Sequence, residues 1–141
     1  MKLQACLGCL LLSIACGKPD VQPASAAPST GIGYVQRLAA SALPKEEFDL
    51  CYYSPTAIAI EVADSIIGLL QQAKSRDVFI VIGSESVSKQ KEIITRVCSK
   101  LSRAKLIHSK IAVIGLKEDR AELETMVRTT GAEFIFIEFI K

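Results

Sequence analysis

Hydrophobic and polar positions follow two alternating patterns over the last two thirds of the chain. Short apolar runs predict four strands, at 48–53, 78–82, 110–116 and 132–140. Longer segments with apolar residues at helical spacing predict three helices, at 57–74, 86–106 and 118–130. The predicted order is therefore β-α-β-α-β-α-β.

Two of the predicted strands end in the same way. Val78 to Ile82 is continuously apolar and bounded by Gly83, which is typical of a strand covered on both faces. Gly115 stands at the end of the next strand, 32 residues after Gly83, which is the spacing of successive βα units. We expect one α/β domain at 46–141, with a mixed or partly parallel four-stranded sheet packed on helices.

The predicted helices carry core stripes. In the first, we expect heavy burial of Ile58, Val62, Ile66, Leu69 and Leu70, widened by Ile60, Ala63 and Ile67. In the second, the stripe comprises Ile93, Ile94, Val97, Cys98 and Leu101. Residues 34–42 could form a further short helix.

The N-terminus has the marks of a secretory signal. Lys2 gives one positive charge, and the following residues 3–15 are uncharged and apolar. The run ends in Ser13-Ile14-Ala15-Cys16-Gly17, which resembles the bacterial lipobox and implies a diacylglycerol on Cys16. The lipobox prefers leucine where Ser13 stands, and Leu12 lies one position earlier. Ordinary cleavage near Ala24-Ser25-Ala26-Ala27 is the alternative.

Three segments follow from this interpretation: a signal peptide at 1–15, a lipidated cysteine with a flexible tether at 16–45, and the domain at 46–141. The tether is rich in Pro, Ala and Ser, a composition that buries little apolar surface. Cys6 and Cys9 fall inside the signal. Cys51 and Cys98 remain in the domain, and in an oxidising periplasm they could form a disulfide, although their spacing in the sequence does not establish one.

Charge adds one candidate surface. The formal net charge is +2, which implies no general attraction to nucleic acid. Lys89, Arg96, Lys100 and Arg103 lie on one face of the second predicted helix. Such a face is commonly just solvated, but it could also dock an acidic partner or anionic lipid. No aromatic residues interleave with these charges, so nucleic-acid binding is not expected.

No catalytic, cofactor or metal motif is recognisable, and we expect no enzymatic activity. Ser84-Glu85-Ser86 follows a strand and precedes a helix, where backbone N–H groups could hold an anion or the serines could cap the helix. His108 is the only histidine, so no His-based metal cluster can form. We expect it in a solvated loop.

The stretch 48–86 resembles the start of an outer-membrane protein A-like domain, the periplasmic module that binds peptidoglycan. The resemblance rests on the aromatic strand, the serine turn, the long helix and the next strand. The following helix, third strand and last strand also fall in the family's order, so the resemblance covers residues 46–141. The family's Gly-His-Thr-Asp is replaced by Gly83-Ser84-Glu85-Ser86, and its ligand-binding aspartate loop is missing. Lys89 or Lys91 stands nearest to its helical arginine.

These patterns predict a lipoprotein on the periplasmic face of the outer membrane, held there by a lipid anchor. Its expected role is to dock other envelope proteins, for instance within a secretion or cell-envelope assembly. A peptidoglycan-binding module is the first alternative. A periplasmic immunity or inhibitor protein is the second.

Overall fold

The computed structural model describes residues 31–72, 77–84 and 87–139 in full and, in addition, the backbone of 3–6 and 9–14. The elements in chain order are β1 (Leu3–Cys6), β2 (Cys9–Ile14), α1 (Gly31–Ala42), β3 (Phe48–Tyr53), α2 (Ala59–Gln71), β4 (Val78–Gly83), α3 (Gln90–Leu101), β5 (Ser109–Gly115), a 3-10 helix (Lys117–Asp119), α4 (Arg120–Arg128) and β6 (Glu133–Glu138).

The strands form one six-stranded sheet in which the spatial order follows the chain order, β1-β2-β3-β4-β5-β6. The last four strands are parallel, and β1 and β2 extend the sheet by antiparallel pairing at the β3 edge. The predicted α/β class and its four strands are confirmed. Because parallel crossovers are right-handed and each one advances in the same direction, they place their helices on the same side of the sheet.

The side that carries α2, α3 and α4 is called here the three-helix face. Odd-numbered positions of β3 and β5 and even-numbered positions of β4 point toward it, as the two-residue period of a strand requires. Its largest fully buried side chains include Ile66, Leu70, Ile80, Ile82, Ile93, Ile94, Ile111 and Leu123. This cluster is the main hydrophobic core.

The opposite side of the sheet, called here the α1 face, is covered by α1. Val35 and Ala39 are fully buried against it, one helical turn apart. The strand residues of this second cluster are Phe48, Leu50, Val81, Ala112, Ile114 and Ile137. The Tyr34 ring meets Phe139 edge to face, with 5.6 Å between ring centres.

Helix α1 corrects the predicted extent of the tether. Residues 31–42 belong to the predicted flexible segment 16–45, yet they form a docked helix. The short helix considered for 34–42 is therefore present and begins three residues earlier, at Gly31. Burial of Val35 and Ala39 against the sheet offsets the entropy of ordering a segment whose neighbours are rich in Pro, Ala and Ser.

The N-terminal strands are a second difference. Both lie within the segment 1–15 that was predicted to be a signal peptide, and they make the sheet six-stranded where four strands were expected. An uncharged apolar run of this length is compatible with a signal peptide and with a hairpin at the edge of a sheet. Both structures need apolar residues, and neither needs them at helical spacing.

The helices are shorter than predicted, and the first is less buried. Ile58 and Ile60 were expected in its core stripe, but they are 56% and 50% exposed. Helix α2 begins at Ala59, so Ile58 is its N-cap residue. Ile60 points away from the strip occupied by Val62 and Ile66.

Gly83 sets how closely α1 approaches β4. A Cβ built on Gly83 would lie 2.9 Å from Cδ1 of Ile114 and 3.0 Å from Cγ1 of Val35. Gly68, on the exposed side of α2, would meet nothing within 4 Å. The two glycines therefore offer a matched pair of substitutions.

We expect Gly83→Ala to lower the free energy of unfolding by about 1–3 kcal/mol, because the added methyl overpacks the contact between α1 and the sheet. Gly68→Ala should raise it by about 0.5–1 kcal/mol, because alanine is the better helix former. Urea unfolding followed by circular dichroism measures both. Equal stability of the two variants would show that α1 does not pack tightly on β4.

Candidate functional site

The carboxyl edge of the parallel strands is the usual ligand-binding edge of an α/β sheet. There, Ser84 follows β4 and is 1% exposed, while Glu85 and Ser86 lie outside the described residues. Helix α3 begins only at Gln90, and its N-cap residue, Lys89, makes no side-chain capping hydrogen bond. Ser84 therefore does not cap α3, since Val87, Ser88 and Lys89 still lie between this region and the helix; the part of the capping prediction that concerns Ser86 lies outside the described residues.

Polar side chains below this edge bond to one another. The Tyr53 hydroxyl donates a hydrogen bond to Oε1 of Gln90, and Nε2 of Gln90 donates to the Ile82 carbonyl at 3.3 Å. Burial raises the pKa of the Tyr53 hydroxyl well above its ordinary value, so it stays protonated and remains a donor. Gln90 is 3% exposed. These hydrogen bonds connect α3 to β3 and β4, so Tyr53 and Gln90 stabilise the packing of the helix on the sheet.

The sheet topology bears on ligand binding too. Open α/β sheets bind ligands in the crevice where the strand order reverses. The order from β3 to β6 does not reverse, so no such crevice arises between these strands. Within the described ranges, no group of three or more His, Cys, Asp or Glu side chains is arranged to hold a metal ion.

The four basic residues predicted to share one face of the second helix differ in their contacts. Nζ of Lys89 donates to the Ala57 carbonyl at 2.7 Å. Arg96 pairs with Glu92 one turn away, at 3.4 Å. Lys100 and Arg103 are exposed, and neither forms an ion pair within the part of the chain that the structure describes. Lys100 is in the last turn of α3, and Arg103 follows the end of that helix by two residues.

Lys91, which the sequence did not assign to that face, links α3 to one acid of the 3-10 helix and one acid in the first turn of α4. Its Nζ lies 2.7 Å from Glu122 and 3.2 Å from Asp119. Hydrogen bonds to Glu122 and then to Asp119 raise the pKa of Lys91. Lys89 and Lys91, the nearest counterparts of the peptidoglycan-binding arginine, are thus both engaged by groups of the chain itself.

Cys51 and Cys98 do not form the disulfide that the sequence left open. Both are in the thiol form and buried on the three-helix face. Cys51 belongs to β3, whereas Cys98 lies on α3, which connects β4 with β5 and packs over those strands. Burial raises the pKa of the Cys98 thiol to about 11.

His108 lies in the exposed loop that was predicted for it, between α3 and β5. Its Nδ1 is 3.4 Å from Oδ1 of Asp77. Both residues border an open groove of about 450 Å³ at the amino edge of β4, β5 and β6. Lys110 projects into it with Nζ 5.6 Å from the centre of the Phe79 ring. The groove is lined by the Phe79 ring and by charged side chains of both signs.

No protein-family model, curated protein or solved structure matches the chain. The resemblance to outer-membrane protein A-like domains therefore rests on the sequence pattern. Of the helices that the structure describes, none has the length and apolar character needed to cross a membrane.

Cys98 should react slowly with alkylating reagents in the folded protein. At about pH 8, a thiol whose pKa has risen from 9.0 to about 11 holds roughly 100-fold less thiolate. Between about pH 9 and 11 the unfolded chain loses this proton first, so the native state should lose stability as pH rises. Mass spectrometry of iodoacetamide-treated protein, native and in urea, locates and times the modification. Native labelling as fast as in urea would mean that α3 does not bury Cys98.

Proposed function

We propose that the chain is an exported lipoprotein, anchored by Cys16 to the periplasmic face of the outer membrane. Its α/β domain would dock other envelope proteins, as a non-enzymatic part of a secretion or cell-envelope assembly. The observation that carries this proposal is the N-terminal sequence: a basic start, an apolar run that ends in small residues before Cys16, and then a segment rich in Pro, Ala and Ser.

Export is compatible with the folded core. The described members of both hydrophobic clusters all lie at or after Val35, in the part of the chain that processing leaves. Removal of β1 and β2 would leave four parallel strands with helices on both faces. Helix α1 would then connect the anchored segment directly to the sheet, so its docking on β4 would fix where the tether leaves the domain.

The end of α3 supports a docking role. Lys100 and Arg103 are exposed, and Lys105, two residues further on, is also exposed and has a positive φ of 52°. Three exposed cations therefore lie close together in the chain, and none forms an ion pair with a carboxylate in the described part of the chain. A surface of this kind favours an acidic partner, because complementary charge speeds encounter and sets register.

Processing tests the anchor. We expect protein extracted from bacterial membranes to begin at Cys16 and to carry the mass of the attached lipid. Cys16→Ala should abolish the lipid, whereas Cys9→Ala, which changes a cysteine inside the leader, should not. Intact-mass spectrometry distinguishes them. A mature N-terminus near Ala24–Ala27, or retention of Met1, would contradict the anchor.

Charge reversal tests the docking surface. Lys100→Glu with Arg103→Glu should reduce recovery of the cognate envelope complex from detergent-solubilised membranes by about tenfold or more, because two attractive contacts become repulsive. Lys100→Arg with Arg103→Lys keeps the charges and should preserve recovery. Quantitative mass spectrometry of the purified complex gives the readout.

Unchanged recovery with both glutamates in place would remove the end of α3 as the docking surface. Binding of the purified protein to peptidoglycan sacculi, lost on substitution of Lys89 and Lys91, would support the wall-binding alternative instead.

A further inference from the structure

The β3 edge of the sheet is occupied by the segment that export would remove. All six residues of β3 pair with β2 in antiparallel register, from Cys9 opposite Tyr53 to Ile14 opposite Phe48. Helix α2 also contacts β2. Loss of residues 1–15 would therefore uncover the backbone of β3 and the flank of α2 together.

An uncovered β3 would be an edge strand without protection. Unpaired N–H and C=O groups along an edge pair readily with another strand, and proteins commonly prevent this with charged residues on the edge. The opposite edge, β6, begins and ends with exposed acids, Glu133 and Glu138. By contrast, β3 carries a single charge, Asp49, and is otherwise apolar or aromatic. The β3 edge is therefore the one suited to pairing.

We propose that two copies of the processed chain pair through β3, antiparallel about a two-fold axis perpendicular to the sheet. The product is one continuous sheet of eight strands, four from each copy. This inference rests on the proposed function, because it requires that the leader be removed.

The antiparallel geometry of β2 favours a second copy as the partner. The edge of β3 already accepts an antiparallel, uncharged strand. A two-fold axis pairs β3 with β3 of a second copy in this same antiparallel sense. Each copy then uses its β3 edge once, so assembly stops at the dimer. A two-fold axis perpendicular to the sheet makes facing residues point to the same side of it. In the two central registers that meet this condition, either Leu50 faces Leu50 of the other copy or Cys51 faces Cys51 of the other copy. In those two registers Asp49 faces Cys51 or Tyr53, and the two carboxylates stay apart.

Two further features favour the same partner. Ile58, the N-cap residue of α2, follows the end of β3 by five residues and is 56% exposed, so it offers apolar surface close in the chain to the pairing strand. The lipid anchor would also confine the copies to one membrane plane, which raises their effective concentration for pairing.

Matched lysine substitutions on the two edge strands test the proposal. Tyr52 on β3 and Ile135 on β6 are both half-buried and both lie on the α1 face. Full-length protein should be produced with its leader, extracted in mild detergent, and examined by intact-mass spectrometry and analytical ultracentrifugation. We expect a processed dimer that Tyr52→Lys weakens at least tenfold and that Ile135→Lys leaves unchanged.

Hydrogen exchange of the unmodified protein gives a second readout that needs no substitution. The β3 amides that point away from β4 should be protected at high protein concentration and lose that protection on dilution, whereas the β3 amides that point toward β4 and those of β4, which is paired on both sides within one copy, should stay protected.

The outcomes separate the two proposals. A processed, lipidated chain that remains monomeric, with edge-facing β3 amides that exchange at every concentration, overturns the dimer and leaves the proposed function intact. A dimer that dissociates with Ile135→Lys and persists with Tyr52→Lys overturns the assignment to β3. A chain that keeps residues 1–15 overturns both proposals, because β2 then continues to fill the edge.

Discussion

The single direction of the parallel crossovers is the constraint on which the rest of this structure depends. Because β3 to β6 lie in chain order, right-handed connections place α2, α3 and α4 on one face. The other face then needs a cover that no crossover supplies. Helix α1, from the segment before the sheet, provides it, and its approach is possible because Gly83 has no side chain. The two cores are thus built in different ways.

Strand positions could be predicted from the sequence more closely than helix α1 could. The four parallel strands are short apolar runs bounded by glycine or charge, and a run of this kind has few other uses in a soluble domain. Helix α1 buries only Val35 and Ala39 completely. Two apolar positions next to a Pro- and Ser-rich segment are too few to predict a helix that docks on the sheet. Its burial depends on the distant residues of the sheet.

The surface was predicted less well than the fold, because the fate of a long charged side chain depends on tertiary neighbours. Helical spacing correctly placed Arg96 and Lys100 on one side of α3. It could not show that Lys89 would reach the Ala57 carbonyl, or that Lys91 would join the two acids near α4. The buried link between Tyr53 and Gln90 was also missed, since a glutamine at the start of a helix gives no sign that it is buried.

Under the proposed export, the pairing of β2 with β3 would also set a time order for biogenesis. A leader that is held by the translocation machinery is not available to pair with β3, and a leader already paired in the sheet is not available to that machinery. Parallel sheets depend on contacts distant in the chain and fold slowly, which leaves an interval in which the unfolded precursor can be captured. Export would then be decided by a kinetic competition, in which any change that speeds formation of the β3–β4 pair acts against secretion.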